Sequence, residues 1–236
     1  MFNKNIDFNE KINELKYIWK EYAFNIDGEK NYIDDLEKNS FVSYVELIVI
    51  FAKRIFPHLE NKERSAQLIL DLLFYIASQN KIISTAFPTK NEENKGDYYE
   101  LDTAISYLAN FVLFGDFLTL IGGWNPAFQN YIKGKFSEED KENVAKLLYE
   151  NSKRRFEGDI NYLYFKFQYM YYLLMTNKEE ESVLILKDTA PMALKTPEFD
   201  GEEIGFVFDG YAECCHREKE KDLIALCNEL RNKKAE

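Results

Sequence analysis

Histidine is nearly missing from this chain of 236 residues, and so is any long apolar run. With only His58 and His216, no Ser/His/acid or Cys/His nucleophilic constellation can be assembled. A di-iron bundle requires two Glu-x-x-His motifs, and His58 has Ile55 three residues before it, so that site is excluded on ligand count. The most apolar window, Val45 to Ala52, is short and contains Glu46, whereas a membrane span takes roughly 20 apolar residues. No membrane partner is expected. Glycine (10) and proline (5) are scarce, which argues against disorder. Gly122-Gly123 lacks the downstream Lys-Ser/Thr and the preceding strand of a phosphate loop. The three cysteines, Cys214, Cys215 and Cys227, sit near the end of a chain that opens on Met-Phe-Asn-Lys-Asn without an apolar leader segment. Reduced thiols and a cytoplasmic location are the expectation. Basic charge is also in deficit, 30 Lys and Arg against 41 Asp and Glu, a formal −11 that disfavours a nucleic-acid partner and suits a basic protein.

What the chain has in quantity is aromatic side chains, 19 Phe and 16 Tyr. They are densest in Ile160 to Met175, where Tyr162, Phe165, Tyr169, Tyr172 and Leu173 share one helical face and Leu163, Phe167, Met170 and Leu174 the next. Only Lys166 and Gln168 interrupt that pattern clearly, so the stretch reads as a helix buried on several sides. Each buried tyrosine must also place its hydroxyl against a partner or at the surface.

Helical periodicity recurs along the chain, and the fold class expected is all-α, built of antiparallel helical hairpins. The first helix runs from Phe8 to Phe24. Ser40 is the expected N-cap of a second, Phe41 to Phe56, stopped by Pro57, and Lys62 to Asn80 pairs with it. The tract 88–97 reads as a loop or linker between an N-terminal part, 1–87, and a C-terminal part, 98–236, unless the whole is one continuous domain. Tyr98 to Phe114 is helical, and the chain then turns irregular through Gly122-Gly123-Trp124-Asn125-Pro126. Ser137 followed by Glu138-Glu139-Asp140 opens a helix to about Phe156. After the aromatic helix the turn Asn177-Lys178 leads into Glu179 to Leu194, then Glu202 to His216 and Glu220 to Asn232.

Two stretches carry a family resemblance. Phe167 to Leu186, a helix, a polar turn at Asn177-Lys178 and a second apolar opening, resembles a tetratricopeptide-like hairpin, and Phe208 to Leu226 is similar. For residues 137–232 the resemblance implies an α-solenoid-like stack that binds protein in a groove, with no catalytic residue to carry over.

Several clusters are candidates for chemistry. Glu213, Cys214 and His216, with Cys227 from the next helix, have ligand types suited to one zinc ion, set against a plain helix end with His216 near its C-terminus. Asp34-Asp35-Leu36-Glu37 is similar to the acid-rich magnesium motif of terpenoid synthases, but four residues fit a solvated polar helix as well. No cofactor is expected. Glu100 and Asp102 beside Tyr98 and Tyr99, together with Trp124, Tyr164 and Tyr171, are the candidate binding residues. Abundant tyrosine and acid against few catalytic groups points to a protein-binding module, in one version an inhibitor or immunity-type protein that neutralises a basic toxin or enzyme. The alternatives are an enzyme or small-ligand carrier with an aromatic-lined pocket gated by Gly122 to Pro126, and a scaffold or homodimer.

Overall fold

The computed structural model describes residues 2–3, 5–23, 43–79, 99–113, 126–155, 160–214 and 221–235. Every regular element among them is helical, ten α-helices and one 3-10 turn, so the chain is all-α as expected. No helix among the described residues is long and apolar enough to cross a membrane. The chain divides into two compact units, Met1–Phe136 and Ser137–Glu236. The tract 88–97 lies outside the described residues.

The first unit contains α1 (Phe8–Ala23), α2 (Tyr44–Arg54), a 3-10 turn at Phe56–His58, α3 (Lys62–Ser78), α4 (Tyr99–Val112) and α5 (Pro126–Ile132). Ser43 caps α2. Its hydroxyl accepts the Glu46 amide at 3.1 Å while the Glu46 carboxylate accepts the Ser43 amide at 2.9 Å, a reciprocal capping box. Ser40, the expected cap, lies outside the described residues. At the other end Pro57 tightens the chain into the 3-10 turn rather than simply stopping the helix. Trp19 packs on Phe51, and Phe128 of α5 packs edge-on against both Phe56 and Phe111. Helix α5 was not expected: Pro126 reads as the end of an irregular stretch, but it is the first helical residue, where a missing amide hydrogen costs nothing.

The second unit contains α6 (Glu138–Arg155), α7 (Ile160–Met175), α8 (Glu179–Lys195), α9 (Gly205–Cys214) and α10 (Lys221–Asn232). Sequential helices pack together, α6 on α7, α7 on α8 and α9 on α10, and α9 also reaches α7 and α10 reaches α8. Ser137 caps α6 as expected, its hydroxyl accepting the Asp140 amide at 3.2 Å. The α7–α8 turn is closed by a left-handed Asn177, φ 62°. Lys178 donates its amide to the Leu173 carbonyl at 2.8 Å and Asn177 to Leu174 at 3.0 Å, the paired bonds of a Schellman cap. Asparagine tolerates that backbone region better than other non-glycine residues.

The aromatic helix α7 is the centre of this unit. Leu163, Phe167 and Met170 meet Leu186, Ala190, Phe199, Phe208 and Tyr211 in one core. The two polar interruptions do not face water: Lys166 is 7% exposed and Gln168 5%. Lys166 reaches out to Asp188 of α8 at 2.8 Å. Helix α9 starts three residues later than expected, because the chain before it is held in turns. Asp200 accepts the Glu202 amide, and Gly201 donates to the Lys233 carbonyl at 2.9 Å. Gly201 lies so close to α10 that a Cβ there would overlap the Leu230 carbonyl oxygen.

Candidate functional site

Among the described residues, α7 and α9 form a surface that combines an exposed aromatic ring with carboxylates. Phe206, Asp209 and Glu213 follow one another at helical spacing and are all exposed, so α9 presents one aromatic ring beside two acids, with the exposed Glu202 in the turn before it. Phe206 is 51% exposed, an unusual position for a phenylalanine. It is not free-standing: its ring meets that of Tyr171 edge-on, centroids 6.2 Å apart at 85°. Tyr171 in turn packs against Tyr172 at 5.2 Å and lies over Gly210, where a Cβ would come within 2.6 Å of the tyrosine ring. Glycine is thus what seats Tyr171.

The electrostatics of this patch are negative. Burial, followed by the nearby carboxylates Glu138 and Glu213, pushes the Tyr171 hydroxyl above its usual range. Tyr171 is therefore a neutral phenol at physiological pH, set among carboxylates. Asp209 is partly engaged by Arg231, 3.4 Å away, and Glu213 is exposed. At the end of α7 the Cys214 thiol contacts the Met175 sulfur at 3.8 Å, adding soft apolar surface beside the ring pair.

A second tyrosine cluster lies in the α6–α7 seam. Tyr149 stacks on Tyr162 and Tyr169 with centroids 5.5 Å and 5.8 Å away. The Tyr149 and Tyr162 hydroxyls are 3.4 Å apart. Burial, then Glu142, Glu181 and Glu150, pushes the Tyr169 hydroxyl up to about 12. Nearby, the buried Glu142 is bonded by the Thr176 hydroxyl and the Lys178 ammonium, which ties α6 to the α7–α8 turn.

Of the residues expected from the sequence, Tyr171, Glu213 and Cys214 come together in the α7–α9 patch. Tyr164 does not join them. Its hydroxyl accepts the Asp200 amide at 3.1 Å and its ring packs on Phe199 at 5.4 Å, so it fastens the turn before α9 to α7. Tyr99, Glu100 and Asp102 fall in the first turn of α4, but their side chains, like Tyr98, Trp124 and the Gly122 to Asn125 stretch, lie outside the described residues. So do Asp34 to Glu37 and His216. Cys227 is fully buried in the α7–α10 core whereas Cys214 is exposed. Among the described residues no group of three or more His, Cys, Asp or Glu is placed to hold a metal ion.

Phe206, Asp209 and Glu138 were missed by sequence reasoning. The signal for the first two was present in the three-four spacing of Phe206, Asp209 and Glu213, which sets a single aromatic beside two acids. No protein-family model matches the chain, and neither a curated protein nor a solved structure matches it.

Proposed function

We propose that this chain is an acidic protein-binding module of the cytoplasm that docks a basic protein on the α7–α9 patch, in the manner of an immunity-type inhibitor held by a bacterium against a basic toxin or enzyme. The observation that carries the reading is Phe206, half in water yet edge-on against Tyr171, on a helix that also exposes Asp209 and Glu213. A pre-positioned aromatic anchor loses little side-chain entropy on binding, and the surrounding carboxylates both steer a cationic partner and offer acceptors to its Arg and Lys. An arginine of the partner stacked on the Phe206–Tyr171 pair would gain cation–π attraction as well. The formal charge of −11 extends the attraction beyond the patch. The helix-to-helix order of the second unit, α7 beside both α8 and α9, supports a repeat-like hairpin stack as the scaffold.

The test is immobilisation of the full chain and capture from extract of its own cells. A strongly basic protein is expected on the wild type, released by salt and missing from a Glu213→Lys bait. Capture of no basic protein, or equal capture by both baits, would overturn the proposal.

A further inference from the structure

The outward face of α8 is separate from the docking patch and has its own order. Glu181, Leu184, Asp188, Pro191 and Lys195 succeed one another in alternating steps of three and four residues, so they line one stripe, and all five are exposed. Leu184 is 67% exposed, and Met192, beside Pro191, is 49% exposed. The stripe is acidic where α8 begins and basic where it ends, with apolar side chains between. Asp188 at its middle is already neutralised by Lys166, 2.8 Å away, and Lys187 is next to it in the chain. Pro191 has no amide hydrogen, which leaves the Lys187 carbonyl without its helical donor.

A stripe with this order is complementary to itself when reversed. With a twofold axis at Asp188, Glu181 meets Lys195 of the second copy, and Leu184 meets Pro191 and Met192 of it. Parallel pairing would instead set Glu181 against Glu181 and Lys195 against Lys195. We infer that the chain forms a twofold dimer through antiparallel packing of α8 on α8, which leaves both copies' α7–α9 patches available. One helix face per copy is a small interface, below the roughly 1,200 Å² of a stable one, so the dimer is weak and forms only at high protein concentration.

Sedimentation equilibrium of the full chain over about 5 to 500 μM tests this, because association depends on protein concentration. The mass is expected to rise from 27.9 kDa toward twice that value. Leu184→Glu, at a solvent-exposed position, should abolish the rise with an unchanged circular dichroism spectrum. Glu181→Lys should weaken association at least tenfold, and adding Lys195→Glu should restore it. A mass of 27.9 kDa at every concentration, a dimer unaffected by Leu184→Glu, or a double charge swap no better than the single one would each overturn the inference. A mass rise lost in Leu184→Glu but insensitive to the charge swaps would refute the antiparallel register, and with it the proposal.

Discussion

Lys166 and Asp188 form an ion pair in which one partner is buried and the other stands in water: the ammonium side is 9% exposed, the carboxylate side 74%, and 2.8 Å separates them. The carboxylate draws the lysine head group out of the aromatic core while the stem stays in it. This asymmetry decides which substitution is harmful. Asp188→Asn should cost about 1–2 kcal/mol in urea unfolding, because it leaves a desolvated ammonium with a weaker acceptor. Lys166→Met should cost less, since it removes the buried charge and keeps the volume.

The same pair has a pH signature. The hydrogen bond and charge of Lys166 hold the Asp188 carboxyl below its ordinary value. A depressed carboxylate contributes stability that is present above its unfolded pKa and disappears as pH falls through the folded one. Wild-type protein should therefore lose stability on acidification from about pH 4 more steeply than Lys166→Met, which chemical denaturation at stepped pH measures directly.

At the alkaline end the tyrosines act in the opposite sense. Tyr169 is pushed up from 10.0 to about 12, chiefly by burial, and Tyr172 is raised further by burial as well. Unfolded chains release these protons first, so stability should fall as pH rises from about 10 to 12. In a tyrosinate absorbance titration, a late fraction should appear only on unfolding, and Tyr169→Phe should shrink it.

The left-handed Asn177 supplies a local test of the α7–α8 turn. Asn177→Gly should leave stability unchanged or slightly higher, whereas Asn177→Val should lower it by about 1–2 kcal/mol, the cost of a β-branched side chain in that backbone region. Thermal melts of the three proteins would show the order.

These residues also mark how far the sequence could be read. Helix positions, the Ser137 cap and the Asn177 turn were legible because capping chemistry and helical period are local properties. The start of α5 was misread, since Pro126 signals a beginning as readily as an end, and the burial of Lys166 and Gln168 was invisible because only the packing of α7 decides it. Of the candidate residues, the structure brings Tyr171, expected as a binding residue, near Glu213 and Cys214, which the sequence offered only as zinc ligands. Phe206 escaped notice because a phenylalanine at helical spacing ordinarily turns inward, and only the structure shows it exposed with its ring edge-on to Tyr171. Tyr164 reversed its expected role for a similar reason, its hydroxyl being taken up by the Asp200 amide.

Gly210 separates binding from folding. Alanine there gains helix propensity of about 1 kcal/mol but drives a methyl to within 2.6 Å of the Tyr171 ring, which must turn away from Phe206. Gly210→Ala should keep a cooperative melt close to that of the wild type and still lose affinity for the captured basic protein.

The most direct measurement of the docking surface is calorimetric titration of that basic protein into wild-type chain, Phe206→Ala and Leu184→Glu. Loss of the Phe206 anchor should weaken binding by at least tenfold, about 1.4 kcal/mol or more, while Leu184→Glu on the outward face of α8 leaves affinity unchanged. Equal affinity for wild type and Phe206→Ala would contradict a partner docked on the α7–α9 patch.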